Sequence, residues 1–198
     1  MVENIVFDLG NVLVDFKPLG WLTSEYGSKD GEFLYHNFCL SPLWVDLDRG
    51  GKSLKEVEHI LCREYPDKTD LIKDVVSRYF GMLTPIDEGV RLLEQLVFQG
   101  YSVFYLTNYH AEAFSYLKNT YSWFHHFRGG ICSAHCGLLK PDPAIYQLLC
   151  HEVSIKPEET LFLDDTAENV KAAELLGFQT LIVDDPSKLG QQIRMKLT

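Results

Sequence analysis

Residues 1–16 read MVENIVFDLGNVLVDF, and this stretch decides the fold because it places an acid directly after a buried strand. The apolar run from Ile5 to Phe7 has the β-branched and aromatic residues that strands favour. The run ends on Asp8, and a short turn containing Gly10 leads into a second apolar run. A charge at the end of a buried strand needs a partner or a chemical role, and residues elsewhere in the chain have to supply it.

The composition indicates one globular domain with a surplus of acidic residues. The 198 residues are 46% hydrophobic and 23% charged, and 28 Asp and Glu outnumber 18 Lys and Arg for a net charge of −10. This balance argues against nonspecific nucleic-acid binding and against anionic membrane surfaces. An anionic substrate therefore needs a locally positive site.

Two further features favour a cytoplasmic location. The five cysteines follow no disulfide-framework spacing, which is typical of a reduced protein. The N-terminus carries no basic leader, and no apolar run approaches the roughly 18 residues of a membrane span. We therefore expect a cytoplasmic protein without a membrane partner.

Strands and helices alternate over most of the chain. Apolar residues have helical spacing from Ile86 to Val97 and from Ala167 to Leu176, and a glycine follows each segment. Strand–helix alternation predicts an α/β fold, with a parallel sheet covered by helices on both sides. Five short apolar runs predict the buried strands: Asn4–Phe7, Ser102–Leu106, Gly130–Cys132, Thr160–Leu163 and Thr180–Val183.

One long stretch in the first half breaks this alternation. It contains no convincing strand and has the pattern of several amphipathic helices, for example Leu54–Tyr65 and Leu71–Phe80. A simple crossover between parallel strands needs only one helix. We therefore interpret residues 16–84 as a helical module inserted after the first strand, which we name the insert. Residues 1–15 and 85–198 then form the core.

Polar residues lie next to several of the predicted strands. In open α/β sheets, ligands bind beyond the carboxyl ends of the strands. Each of these residues alone is compatible with a turn or a helix cap, but their joint occurrence in this order predicts a site. They are Asp8 after the first strand, Thr107 and Asn108 after the second, Lys140 before the fourth, and Asp164, Asp165 and Asn169 after the fourth.

Four motifs in this order resemble the haloacid dehalogenase (HAD) superfamily over essentially the whole chain. They are VFDLGNVLVD (residues 6–15), YLTN (105–108), LLKPDPAIY (138–146) and LFLDDTAENVKAAELLGFQTLIV (161–183). The resemblance implies a three-layer Rossmann-like parallel sheet with the insert as the α-helical cap of subfamily I. FDLGNV, and LWVDLDRGGKS in the insert (43–53), are also similar to bacterial phosphatases of the α-D-glucose 1-phosphate type.

The resemblance implies a phosphoryl-transfer site that uses Mg²⁺. Asp8 would attack phosphorus as a carboxylate nucleophile and carry the phosphoryl group. A carboxylate and a phosphate repel each other, and Mg²⁺ bound by Asp8, the Gly10 carbonyl and Asp165 would offset this repulsion. Asp164 would lie beside or behind these ligands and orient a metal-bound water, and Asn169, one helical turn later, would support the ligands from behind.

Other residues would bind the phosphate group of the substrate. Lys140 would neutralise both the nucleophile and the phosphate, so the resemblance gives it a catalytic role. Thr107 and Asn108 would donate hydrogen bonds to phosphoryl oxygens, together with the amides of Leu9 and Gly10.

The insert offers one candidate for substrate specificity. An aromatic face beside a carboxylate suits a sugar, so we expect a specificity patch from Trp44 with Asp46 or Asp48. The sequence therefore predicts a Mg²⁺-dependent phosphatase, active as a monomer or a homodimer on a small phosphorylated metabolite. A sugar phosphate is the favoured substrate.

Gly10 departs from the pattern of many phosphatases in this superfamily, which carry an aspartate at that position. That aspartate protonates the leaving oxygen and later activates water, a contribution of about 10²–10⁴-fold. Three explanations stay open. The substrate has a good leaving group such as an anomeric phosphate, another residue such as Asp15 or His110 substitutes, or the protein is a catalytically silent metabolite-binding or regulatory protein.

Two other functions stay as alternatives. Dehalogenases of the same superfamily also lack that aspartate because halide leaves without a proton. They need no metal, however, whereas the adjacent Asp164 and Asp165 suit a Mg²⁺ site. An aspartyl-phosphate receiver domain shares the sheet type and an acidic pocket, but it needs no long helical insert.

Overall fold

The computed structural model describes residues 1–197 and contains the parallel sheet that the apolar runs predict. The strands are β1 (Asn4–Phe7), β2 (Val14–Asp15), β3 (Thr84–Pro85), β4 (Ser102–Thr107), β5 (Gly130–Cys132), β6 (Thr160–Asp164) and β7 (Gln179–Ile182). Parallel pairing gives the order β5-β4-β1-β6-β7, so the first strand of the chain lies at the centre. β2 and β3 form a separate antiparallel pair.

Helices occupy most of the connections between these strands. They are α1 (Pro18–Leu34), α2 (Pro42–Asp48), α3 (Leu54–Glu64), α4 (Thr69–Arg78), α5 (Asp87–Phe98), α6 (Ala111–Thr120), α7 (Ser133–Cys136), α8 (Pro143–Val153), α9 (Ala167–Leu175) and α10 (Leu189–Leu197). Within residues 1–197, no helix has both the length and the apolar character that a bilayer crossing requires. The cytoplasmic location stays a prediction.

Alternate residues of β1 are buried on opposite faces of the sheet. Ile5 and Phe7 belong to the larger apolar core, whereas Val6 belongs to a second core with Phe104 and Phe162. Side chains along a strand alternate between faces, so the two cores lie on either side of the sheet. The predicted three-layer α/β fold is confirmed.

The register of β1 brings predicted site residues to one edge of the sheet. Phe7 pairs with Tyr105 of β4 and with Leu163 of β6. Asp8 is therefore level with Asp164, and its amide donates a hydrogen bond to the Leu163 carbonyl at 2.8 Å. The carboxyl ends of neighbouring parallel strands meet here, at the edge where α/β sheets bind ligands.

Some strand ends differ from the predicted ones by one residue. β4 ends at Thr107 and β6 at Asp164, because these residues still pair with Cys132 of β5 and Ile182 of β7. β7 also begins one residue earlier than predicted, at Gln179. Apolar runs locate a strand, but the neighbouring strand decides where pairing stops.

Helices α1 to α4 occupy the segment that we interpret as the insert. At its ends, Val14 pairs with Pro85 and Asp15 with Thr84 in the antiparallel pair of β2 and β3. Within it, α1 bends at Gly27, whose φ of 76° is readily adopted only without a Cβ atom. The division of the chain into a core and a cap stays a prediction.

α5 packs directly on the backbone that follows the first strand. A Cβ atom on Gly89 would lie 2.2 Å from the Val12 carbonyl oxygen and 3.2 Å from Leu13 Cδ2. A side chain of any size would displace this backbone. Gly89 therefore supports the turn that begins at Asp8.

We predict that Gly89→Ala lowers the free energy of unfolding by about 1–3 kcal/mol, because the new methyl group overpacks this contact. Gly20→Ala is the matched control, since Gly20 is exposed in α1 with open space around it. That control should raise the free energy of unfolding by about 0.4–1 kcal/mol. Urea titrations measure both, and equal stability of the two variants would contradict the close approach.

Candidate active site

Lys140 joins two carboxylates at the ends of β1 and β6. Its Nζ lies 2.9 Å from Asp8 Oδ1 and 2.6 Å from Asp164 Oδ2, and it donates to the Leu106 carbonyl at 2.8 Å. The side chain of Lys140 is 1% exposed, and those of Asp8 and Asp164 are 11% and 0% exposed. Three charged groups are thus buried in contact, and each depends on the others for a partner.

Burial and mutual contact shift the pKa values of this group. Burial raises the pKa of the Asp8 carboxyl to about 7, Lys140 opposes this rise and Asp164 adds to it. Burial opposes the charge of Lys140, but Asp8 and Asp164 outweigh it and hold the pKa of Lys140 above its usual value. One ammonium group therefore does not balance the carboxylates, and the site can accept further positive charge.

The carboxylate of Asp164 is engaged on both oxygens. Oδ1 accepts hydrogen bonds from the Thr166 amide at 2.8 Å and from Asn169 Nδ2 at 3.0 Å, while Oδ2 accepts from Lys140. Asp164 and Asn169 are both buried. Asp164 therefore positions Lys140 and ties the start of α9 to the site.

Asp165 is more exposed and is held by a residue that the sequence analysis did not single out. Its Oδ2 accepts a hydrogen bond from Asn11 Nδ2 at 2.9 Å. Asn11 has a left-handed φ of 52°, and its Oδ1 accepts from the Phe16 amide at 3.1 Å. Asn tolerates this conformation better than most residues, so Asn11 both shapes the turn after Asp8 and orients Asp165.

An acidic trio lies at this edge of the sheet. Asp8, Asp164 and Asp165 each offer one oxygen, and these oxygens lie within 4.8 Å of one another. In the part of the chain that the structure describes, no other group of three His, Cys, Asp or Glu residues is so placed. Carboxylate oxygens are the ligands that Mg²⁺ prefers, so the donor set fits a divalent cation.

Asn108, one of the residues expected to bind phosphate, is hydrogen-bonded to the Lys140 backbone. Asn108 Nδ2 donates to the Lys140 carbonyl at 3.0 Å, and the Lys140 amide donates to Asn108 Oδ1 at 2.9 Å. These two bonds hold the Lys140 loop against the end of β4.

Thr107 and Leu9 are fully buried, and the Thr107 hydroxyl has no hydrogen-bond partner among residues 1–197. Gly10 lines the adjacent cavity.

A cavity of about 210 Å³ opens beside Asp8 and Lys140. Its walls come from both the core and the insert, and they are rich in aromatic rings. The aromatic and histidine side chains that line it are Phe16, Trp44, Tyr79, Tyr109 and His110. Two of the three rings from the insert face the core here, since the ring centroids of Trp44 and Tyr79 lie 6.1 and 5.1 Å from that of His110.

The structure separates the two acidic candidates of the insert. Asp48 lines the cavity with Trp44, whereas Asp46 does not and instead pairs with Lys52 at 2.8 Å. The two acids are two residues apart on α2 and therefore point to different sides of the helix. Of the two alternatives, only Asp48 lies beside Trp44 in the cavity lining, and a contact of either acid with the substrate stays a prediction.

The two suggested substitutes for the missing acid are also separated. His110 lines the cavity, whereas Asp15 pairs with Lys17 at 2.9 Å and is not among the lining residues. The buried His110 Nε2 and Tyr109 hydroxyl have no hydrogen-bond partner within the described residues. Buried polar atoms without partners are costly, so both are suited to hydrogen-bond a ligand. Tyr109 directly follows the predicted Asn108, but no sequence pattern distinguishes it.

The fold and this site define an α/β protein with an acidic, lysine-bearing candidate site at the ends of parallel strands. The chain belongs to the haloacid dehalogenase-like hydrolases, whose family model matches residues 2–177. The predicted superfamily is thereby confirmed. The resemblance to phosphatases of the α-D-glucose 1-phosphate type stays a prediction.

Similar proteins include named phosphatases. The sesquiterpene phosphatase astK of Aspergillus oryzae is 28% identical over 189 residues, which are 96% of this chain and 93% of that protein. The D-ribitol-5-phosphate phosphatase of Bacteroides thetaiotaomicron is 23% identical over 207 aligned positions, covering 100% of this chain and 99% of that protein.

A solved structure shows the same fold. It is a HAD family enzyme from Bacteroides thetaiotaomicron, crystallised as a complex with magnesium and inorganic phosphate. The TM-score is 0.74 at 21% sequence identity, and the match covers 96% of this chain and 99% of that one.

We predict that Lys140→Met lowers the free energy of unfolding by about 3–5 kcal/mol at neutral pH in the presence of a chelator, because it leaves two buried carboxylates without their partner. Lys171→Met, at an exposed position of α9, is the control and should change the free energy of unfolding by less than about 0.5 kcal/mol. Chemical denaturation measures both. Similar losses in the two variants would show that the buried ion pairs do not hold the site together.

Proposed function

We propose that the chain is a Mg²⁺-dependent phosphatase that hydrolyses a small phosphorylated metabolite through a phosphoryl group carried on Asp8. The observation that carries this proposal is the contact of Lys140 with Asp8 beside the acidic trio and the cavity. A nucleophile, a fixed positive charge and a cation site lie within reach of one ligand.

Asp8 has the placement of a nucleophile. It lines the cavity at the end of the central strand, and Lys140 holds its Oδ1. Attack requires the ionised carboxylate, which Lys140 favours against the effect of burial. Mg²⁺ at the acidic trio would add positive charge that keeps Asp8 ionised and attracts the phosphate group.

The phosphate group would be oriented by donors around the end of β4. Lys140 would neutralise negative charge on the phosphoryl oxygens. We assign hydrogen-bond donation to Thr107, Asn108 and the amides of Leu9 and Gly10. The unpartnered Thr107 hydroxyl supports this role, since a buried hydroxyl without a partner gains a hydrogen bond when phosphate enters.

The cavity walls suit a sugar or polyol phosphate. Trp44 offers an aromatic face, while His110 Nε2 and the Tyr109 hydroxyl offer hydrogen bonds. The related D-ribitol-5-phosphate phosphatase bears the name of such a substrate. The aromatic walls also suit an apolar alcohol, as the name of the related sesquiterpene phosphatase indicates for that protein. A prenyl phosphate is therefore the second candidate substrate.

We predict that Asp8→Asn abolishes phosphate release and leaves the circular dichroism spectrum the same as that of the wild-type protein. The amide retains the shape of the side chain but is not a nucleophile. Asp70→Asn, in the exposed first turn of α4, is the control and should keep full activity. Appreciable phosphate release by Asp8→Asn would refute the nucleophile assignment.

We predict phosphate release from at least one of ribitol 5-phosphate, α-D-glucose 1-phosphate and farnesyl phosphate in Mg²⁺, and its loss when EDTA removes the metal. Malachite-green detection of phosphate measures the rates. Halide release from a 2-haloacid without metal would identify a dehalogenase instead. If no substrate releases phosphate or halide but calorimetry detects metabolite binding, the chain is a binding protein.

A further inference from the structure

The proposed reaction needs an acid beside the leaving oxygen, and the turn after β1 supplies no acidic side chain there. An alkyl leaving group departs poorly as an alkoxide, so an acid has to protonate the leaving oxygen. Gly10 brings no acid, although a Cβ atom there would meet only the Tyr109 ring, at 3.9 Å. A Cβ atom would fit at this position, but glycine supplies no acid, so the acid has to come from elsewhere in the cavity.

Three titratable side chains are candidates, and their placement separates them. Asp15 lies outside the cavity lining and pairs with Lys17. His110 lines the cavity, but its Nδ1 accepts a hydrogen bond from the Ala113 amide at 3.3 Å as the cap of α6, and the same atom lies 3.2 Å from Glu112 Oε2. An acid role of the imidazole requires a proton on Nδ1, which would end that cap and make Nδ1 a donor to Glu112 instead. Asp48 lines the cavity, and protonation of one carboxyl oxygen leaves the other able to accept the hydrogen bonds that the Trp44 side chain and the His110 backbone donate.

The core holds the end of α2 firmly at Asp48. Ser133 Oγ donates a hydrogen bond to the Asp48 carbonyl at 2.5 Å. The same Ser133 Oγ accepts a hydrogen bond from the Tyr109 amide at 3.0 Å. Two residues later, Gly50 has a φ of 72°, and a Cβ atom on it would lie 2.2 Å from the Ala134 carbonyl oxygen. The backbone of Asp48 is therefore fixed against α7 and the residues that follow β4.

The surroundings of Asp48 favour its protonated form at neutral pH. Burial raises the pKa of the Asp48 carboxyl to about 7, and the negative charge of Asp8 adds to the rise. Hydrogen bonds from the Trp44 side chain and the His110 backbone oppose it. A carboxyl group with a pKa near the working pH can both give and take a proton.

We propose that Asp48 is the general acid and base of this site, supplied by the insert in place of the side chain that Gly10 lacks. The proposal rests on the phosphatase function proposed above. In the first step, an Asp8 oxygen bonds to phosphorus, the bond from phosphorus to the ester oxygen breaks, and Asp48 gives its proton to that oxygen. In the second step, Asp48 takes a proton from water as the water oxygen bonds to phosphorus and the bond to Asp8 breaks. One water is consumed, and alcohol and phosphate are released.

Single-turnover kinetics with enzyme in excess test the acid role. The substrates are p-nitrophenyl phosphate, whose leaving group needs no proton, and the best alkyl phosphate of the screen, beginning with ribitol 5-phosphate. For Asp48→Asn, we expect the rate of alcohol formation to fall about 10²–10⁴-fold on the alkyl phosphate and the rate of nitrophenolate formation to stay within about tenfold. Asp70→Asn is the matched control and should be unchanged on both substrates.

Two results would overturn the inference while leaving the proposed function intact. One is an equal change of both single-turnover rates in Asp48→Asn, which indicates a structural role or none. The other is a selective loss on the alkyl phosphate in His110→Gln but not in Asp48→Asn, which assigns the acid to His110. If the wild-type protein releases no phosphate from any ester, the proposed function itself is contradicted, and the inference is contradicted with it.

Discussion

The burial of the Lys140 ammonium group between Asp8 and Asp164 is the constraint on which the rest of the site depends. Neither carboxylate is tolerable at a buried strand end without positive charge, and the ammonium group is equally costly without them. Parallel pairing of β1 with β6 brings the two acids level, and Lys140 completes the set by reaching the Leu106 carbonyl on β4. Three neighbouring strands therefore have to be in register before any of these charges has a partner. The same ion pairs that stabilise this edge of the sheet also give Asp8 the positive neighbour that its proposed role as a nucleophile requires.

The sequence predicts the parts of this site that strand ends determine. Apolar runs locate the strands, and a ligand site at their carboxyl ends follows from the α/β pattern alone, so Asp8, Asp164 and Asp165 could be grouped before any coordinates. The order of the strands could not be predicted in the same way. Apolar runs do not specify which strands neighbour β1, and that choice decides which acids meet. The hydrogen bond of Asn11 to Asp165 was missed for a related reason, because it depends on a left-handed residue in a turn whose path is set by tertiary packing.

The insert was predicted less completely than the core. Its helices could be recognised from their apolar spacing, but the side of each helix that faces the core depends on how the helices dock. Asp46 and Asp48 show the difficulty, since both lie on α2 and only one of them lines the cavity. Tyr79 lies near His110 only because the insert folds back over the end of β4. Contacts between distant segments of this kind leave no local pattern in the sequence.

The core and the insert are proposed to contact different parts of the substrate, and this separation has a physical reason. Phosphate is common to all candidate substrates, and the groups proposed to bind it lie on strand ends and loops of the core. The leaving alcohol differs between substrates, and the groups proposed to lie beside it, Trp44 and Asp48, belong to the insert. The Ser133 hydroxyl and the Glu112 carboxylate, which accepts the Leu54 amide at 3.0 Å, connect the insert to the core. Because the proposed acid is on the insert, its distance from Asp8 depends on these contacts. Proton transfer would then be efficient only while the insert covers the cavity, which is also when water is excluded from the phosphoryl group.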